Sequence, residues 1–145
     1  MSGDLYQRVL VDHAKHPRNF GPLPDATHAA EGVNPLCGDE LTVRLRTAEG
    51  RIGEVAFEGA GCAVCLGSAS LMTVATKGLT LRDVDVLLNA VRALLRGERD
   101  AANLGELAAL SGVARFPARV KCAQLAWSAL GAALAGPGLR VSTEL

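Results

Sequence analysis

The stretch GAGCAVC, residues 59–65, lies where a predicted strand gives way to a predicted helix. Residues 55–57 have the composition of a strand, the glycines permit a sharp turn, and residues 66–77 are compatible with a helix. Cys62 therefore stands beside the unpaired N–H groups at the positive end of a helix, which favour the thiolate over the thiol. A thiolate in that place can bind a metal or attack sulfur.

The residues before this junction predict a β-hairpin. Apolar and polar side chains alternate over residues 41–46, which is typical of a half-buried strand. Glu49 and Gly50 form the predicted turn, and residues 52–58 return as the second strand.

Helical spacing of apolar residues accounts for most of the remaining chain. It predicts a first helix that Pro17 ends, a helix over 80–96 capped by Thr80, a short helix over 104–110, and a last helix that begins at Pro117. The short helix is expected to stop at the break formed by Ser111 and Gly112.

Length and composition restrict the class of protein. The 145 residues are 49% hydrophobic, which predicts one globular domain. Gly136, Pro137 and Gly138 begin a tail that we expect to be loose, so the domain is expected over 1–135 and the tail over 136–145. Fifteen basic and fifteen acidic side chains cancel, so neither nucleic acid nor an anionic membrane is an expected partner. Because we find neither a predicted membrane span nor a signal peptide, we expect a cytoplasmic protein.

The four cysteines are too few for a disulfide-stapled secreted scaffold, and in a reducing compartment such residues more often act as ligands or nucleophiles. Cys37 and Asp39 flank a glycine that frees the backbone to direct both side chains to one point. Arg119 lies one helical turn before Cys122 and Lys121 lies next to it, so we expect the two cations to favour a thiolate at Cys122.

Three interpretations of these residues remain open on spacing alone. The pair Cys62 and Cys65 could be a thioredoxin-like thiol–disulfide centre. All four cysteines could form a structural zinc site in an interaction module. In the third interpretation a carboxylate and three thiolates converge on one exchangeable metal, and these ligands are Cys37, Asp39, Cys62 and Cys122.

Three motifs in order resemble those of the IscU/NifU-like iron–sulfur cluster assembly proteins: NPLCGD at 34–39, GAGCA at 59–63 and PARVKCA at 117–123. Residues 5–19 also resemble the opening helix of that family. Two features are similar to its SufU branch: Lys121 stands where the scaffold branch has a histidine, and residues 104–116 resemble a segment that SufU-type members carry. Cys65 departs from the usual three-cysteine pattern, which leaves open a spare sulfur relay or an alternative ligand.

The resemblance implies an α+β fold of the SufE/NifU-like type, with a small antiparallel β-sheet and helices packed on one side. The metal site would lie at an exposed edge, in a NifU-like N-terminal-type domain over 1–135. It further implies zinc held by the four converging ligands, Cys37, Asp39, Cys62 and Cys122.

The resemblance also implies a reaction. A pyridoxal-phosphate-dependent cysteine desulfurase of the SufS type would present a persulfide, and Cys37 would accept its sulfur for a downstream cluster scaffold. Asp39 would tune the opening of the site, Arg119 would orient the partner or persulfide, and Lys121 would help to offset negative charge. The alternative within the family is a scaffold that assembles a transient [2Fe–2S] cluster on the same residues.

Overall fold

The fold combines a four-stranded sheet with a layer of helices, and the computed structural model describes residues 3–136 and 139–142. The strands are β1 (His28–Asn34), β2 (Asp39–Ala48), β3 (Arg51–Ala60) and β4 (Leu139–Ser142). The helices are α1 (Gly3–Lys15), α2 (Ala63–Thr76), α3 (Leu81–Leu95), the 3₁₀ helix Gly105–Arg115 and α4 (Pro117–Ala135). No helix within the described ranges has the length and hydropathy needed to cross a membrane.

The sheet has the strand order β3-β2-β1-β4. β1, β2 and β3 are antiparallel, which confirms the predicted α+β class, whereas β4 runs parallel to β1. The predicted hairpin is β2–β3, and its turn residues Glu49 and Gly50 both have positive φ angles, of 54° and 74°. That pair of angles is typical of the tight turns that match the twist of antiparallel strands.

One face of the sheet carries the core. Leu41, Val43 and Leu45 on β2 are almost fully buried, while the residues between them are partly exposed. α4 packs against β1 and β2, and α2 packs against α4 and β3. A Cβ atom added to Gly32 would lie 3.0 Å from Cδ1 of Leu125, so the absence of a side chain there lets α4 approach β1 closely.

The structure confirms the predicted starts of two helices, α3 and α4. The Thr80 side chain caps α3 by accepting a hydrogen bond from the Asp83 N–H at 3.1 Å. Pro117 is the first residue of α4, where its missing N–H costs no helical hydrogen bond.

The short helix predicted over 104–110 is present, but it is a 3₁₀ helix and it is longer than expected. The 3₁₀ helix Gly105–Arg115 continues through the expected break. Leu107, Leu110 and Val113 are buried at a spacing of three, the spacing at which side chains align on one face of a 3₁₀ helix. Burial of that face therefore outweighs the local preference of Ser-Gly for a turn.

The C-terminal tail differs from the prediction of a loose segment over 136–145. Residues 139–142 form β4 and pair with residues 30–33 of β1. The outer edge of β1 offers unpaired backbone N–H and C=O groups, and pairing with β4 satisfies them. The rest of the predicted tail, apart from Gly136, lies outside the described residues.

Candidate metal centre

The connection between β1 and β2 carries the first two predicted ligands. Asn34 and Asp39 lie opposite each other in the strand register, and residues 35–38 join them. The Cys37 N–H donates to the Asn34 carbonyl oxygen at 3.2 Å, and Gly38 has a φ of 71°. Because glycine adopts a positive φ without strain, Gly38 can complete the turn. The turn leaves Cys37 exposed and Asp39 buried.

The junction between β3 and α2 carries the third predicted ligand. Cys62 is the residue at the N-terminal cap of α2, and its thiol makes no capping hydrogen bond. Its N–H instead donates to Oδ1 of Asp39 at 3.0 Å. A Cβ atom on Gly59 would lie 2.0 Å from the Glu40 carbonyl oxygen, so only glycine allows β3 to lie this close to β2 beside the site.

The fourth predicted ligand, Cys122, is fully buried in the second turn of α4. The ligand atoms of Cys37, Asp39 and Cys122 all lie within 4.8 Å of one another. Cys62 lies outside that group of three, but its N–H donates to the Asp39 carboxylate at 3.0 Å. The structure therefore gathers three of the four predicted ligands and places the fourth next to them.

The electrostatics at Cys122 are opposite to the expectation from sequence. Burial, followed by hydrogen bonds with Asp39, Cys37 and Cys62, raises the pKa of the Cys122 thiol above its usual value. Arg119 is exposed and Lys121 is half-buried, and within the described part of the chain neither forms a salt bridge. Desolvation of the Cys122 thiol thus outweighs the two cations that were expected to favour its thiolate.

The donor set fits zinc on chemical grounds. Thiolates and a carboxylate are ligands that Zn²⁺ accepts, and a structure that buries Asp39 and Cys122 beside one another stabilises their negative charges poorly without a cation. A bound divalent ion would hold the thiols deprotonated against the effect of burial. Because Cys37 is exposed, one ligand of such a site would remain accessible from solution.

Asn34, the first residue of the NPLCGD motif, is a member of the site whose role the sequence does not predict. The side-chain Nδ2 of Asn34 donates to Oδ2 of Asp39 at 3.3 Å and to Sγ of Cys122 at 3.5 Å. Asn34 is fully buried. The sequence contains no pattern that predicts this contact, because it depends on the pairing of β1 with β2 and on the docking of α4.

The chain is similar to known proteins over most of its length. The chain is 39% identical over 131 residues to the zinc-dependent sulfurtransferase SufU of Bacillus subtilis, an alignment that covers 87% of this chain and 86% of that protein. It is 38% identical over 132 residues to the iron–sulfur cluster assembly scaffold protein IscU of Streptococcus pyogenes, covering 90% of this chain and 82% of that protein.

A solved structure and a family model agree with these relatives. The crystal structure of an iron–sulfur cluster assembly scaffold protein for the SUF system from Fervidobacterium islandicum superposes with a TM-score of 0.84 at 30% identity, covering 92% of this chain and 99% of that chain. The model of the NifU-like N-terminal domain matches residues 5–135. The predicted resemblance is confirmed, and the chain belongs to the NifU-like N-terminal domain family.

Proposed function

We propose that this protein binds zinc and accepts persulfide sulfur from a pyridoxal-phosphate-dependent cysteine desulfurase, and that it passes the sulfur on for iron–sulfur cluster assembly. The observation that carries the proposal is the convergence of Cys37, Asp39 and Cys122 within 4.8 Å, with only Cys37 exposed. The likeness to a relative named as a zinc-dependent sulfurtransferase supports it.

Cys37, Asp39, Cys62 and Cys122 would hold the zinc. When bound, zinc supplies a stable positive charge without redox chemistry, so that thiolates can form and exchange without side reactions. The protein's own residues position the two ligands near the first turn. The turn over 35–38 presents Cys37 to a partner, whereas the strand pairing and the Cys62 N–H hold Asp39 in place.

Sulfur transfer needs no external oxidant. The Cys37 thiolate attacks the terminal sulfur of the desulfurase persulfide, forming a new S–S bond on Cys37. The S–S bond of the donor breaks, and its cysteine leaves as a thiolate. Arg119 is exposed one helical turn before Cys122, where it can contact an anionic persulfide or an acidic group of the partner. Lys121 adds positive charge close to the ligands.

The proposal is tested by metal analysis and a sulfur-transfer assay. We expect about one zinc per chain in freshly purified protein, as four ligands from one chain imply. Cys37→Ser should abolish acceptance of sulfur from a desulfurase, and Asp39→Ala should keep the fold but change zinc retention and sulfur acceptance. Thr76→Val is the control, because Thr76 is buried at the end of α2 opposite Cys62, where its hydroxyl donates to the Met72 carbonyl oxygen. Unchanged sulfur acceptance by Cys37→Ser would remove Cys37 from the acceptor role.

A scaffold function on the same residues is the second candidate, because the chain is also 38% identical to a relative named as an IscU scaffold. Reconstitution with iron and sulfide separates the two candidates. A stable, visibly absorbing [2Fe–2S] cluster that transfers to an apo-acceptor would favour the scaffold. Zinc retention with sulfur acceptance and no cluster would favour the sulfur-transfer function, which Lys121 in place of the scaffold branch's histidine also supports.

A further inference from the structure

Asn34 is a fully buried amide between two of the candidate ligands. It is the last residue of β1 and lies directly opposite Asp39 in the antiparallel register. Its backbone carbonyl accepts from the Cys37 N–H, so its main chain already has a structural function in the turn. The Asn34 side chain takes no part in that hydrogen bond, so the turn does not explain the contacts of the side chain.

The Asn34 amide group donates to both neighbours at once. Nδ2 lies 3.3 Å from Oδ2 of Asp39 and 3.5 Å from Sγ of Cys122. The other carboxylate oxygen of Asp39 accepts from the Cys62 N–H at 3.0 Å. Both oxygens of the carboxylate are therefore held by donors, one from β1 and one from the start of α2.

The orientation of the amide leaves its oxygen unsatisfied. Oδ1 of Asn34 is the one buried side-chain nitrogen or oxygen atom among the described residues that has no hydrogen-bond partner. Leaving a buried carbonyl oxygen unpaired is unfavourable. The reverse orientation would direct that oxygen at a carboxylate oxygen and a sulfur atom, which carry negative charge in a metal site. The donor contacts therefore determine which way the amide points.

We infer that Asn34 is a positioning residue of the metal centre, orienting the Asp39 carboxylate and the Cys122 sulfur for the same ion. This inference rests on one part of the proposed function, which is that the site binds zinc. A hydrogen bond from the amide withdraws charge from the sulfur and restricts the rotation of both ligands. Groups that support metal ligands in this way usually change metal affinity when they are removed.

The inference is tested by measuring Zn²⁺ affinity in competition with a chromophoric chelator. Asn34→Leu removes the donor and keeps the branching and heavy-atom count of the side chain, and we expect it to weaken zinc binding about 10- to 100-fold. Asn34→Asp keeps the shape but directs a carboxylate at Asp39, and it should weaken binding more than Asn34→Leu. Thr76→Val, a buried substitution at the other end of α2, should bind zinc like the wild type.

Cobalt substitution supplies a readout that a general loss of stability would not change. Loss of an N–H···S hydrogen bond makes the sulfur a stronger electron donor, so the sulfur-to-Co²⁺ charge-transfer band of Asn34→Leu should move to lower energy. The band of Thr76→Val should stay at the wild-type position.

Each outcome is decisive. Wild-type zinc affinity with an unshifted cobalt band in both Asn34 variants would overturn the inference while leaving the proposed function intact. A wild-type protein that binds no zinc would instead contradict the proposed function itself. If circular dichroism shows that neither Asn34 variant folds, Asn34 is required for folding and the inference is wrong.

Discussion

At the scale of single residues, Cys65 is the cysteine that spacing alone could not assign. It is fully buried in α2, and a Cβ atom on Gly61 would lie 2.9 Å from both its Sγ and Oδ1 of Asp39. Burial, and then the charge of Asp39, raise the pKa of the Cys65 thiol. A buried thiol that stays protonated packs as a small apolar group, so these surroundings fit a space-filling thiol beside the site.

We predict that Cys65→Ala keeps zinc stoichiometry and sulfur acceptance at the wild-type level. The substitution removes one buried atom and should lower the free energy of unfolding by about 1 kcal/mol. Elemental analysis, the sulfur-transfer assay and urea denaturation measure the three quantities. Loss of zinc in Cys65→Ala, with Cys62→Ala unaffected, would make Cys65 a ligand and restore the alternative that the sequence left open.

At the scale of elements, His13 joins α1 to α2 and to the 3₁₀ helix. Nδ1 of His13 lies 2.7 Å from Oγ of Ser70, and Nε2 lies 3.6 Å from Oε1 of Glu106. Because Ser70 Oγ already accepts from the Arg18 N–H, its own proton is available for Nδ1 of a neutral imidazole. Burial, and then the charge of Arg18, lower the pKa of His13, while Glu106 acts in the opposite direction.

We predict that the protein loses stability as the pH falls below about 6.5, the usual pKa of histidine. With its pKa lowered in the folded state, His13 binds a proton more readily in the unfolded chain, so acid favours unfolding and higher pH favours folding. His13→Gln should flatten this dependence in urea denaturation carried out from about pH 8 to pH 5.

The exposed His16, the first residue after α1, supplies the matched control. His16→Gln should keep the wild-type dependence on pH. A wild-type slope in His13→Gln would show that other groups cause the loss of stability in acid.

At the scale of the whole molecule, the sheet pairs the first strand of the chain with the last described strand. β4 follows α4 and pairs in parallel with β1, and β1 ends at Asn34 beside the candidate ligands. β3, at the opposite edge of the sheet, leads into Cys62. The candidate metal centre therefore lies where three segments distant in sequence meet, and β4 covers the outer edge of β1.

We predict that ending the chain after Gly136 lowers the denaturation midpoint and promotes self-association, because the edge of β1 loses its partner strand. Zinc content should stay near the wild-type value, since the proposed ligands belong to the part that remains. Chemical denaturation, sedimentation at several concentrations and metal analysis test these expectations. A truncated protein that is as stable and monomeric as the full chain would show that β4 is dispensable.

Several features were predictable from sequence because neighbouring residues determine them. The β2–β3 turn depends on Glu49 and Gly50, the start of α3 depends on Thr80, and the start of α4 depends on Pro117. Backbone geometry and capping hydrogen bonds act over a few residues, so short patterns predict them. The family motifs predicted that four side chains would gather, and three of them, Cys37, Asp39 and Cys122, lie within 4.8 Å of one another.

Tertiary structure alone decided the rest. β1 contains alanines and Gly32, which have little tendency to form a strand, and it is held between β2 and β4. The contact of Asn34 with Asp39 and Cys122, and the burial that raises the Cys122 pKa, depend on α4 lying across the sheet. These interactions join residues far apart in sequence, and hydrogen bonding and desolvation act on them only after the layers have packed together.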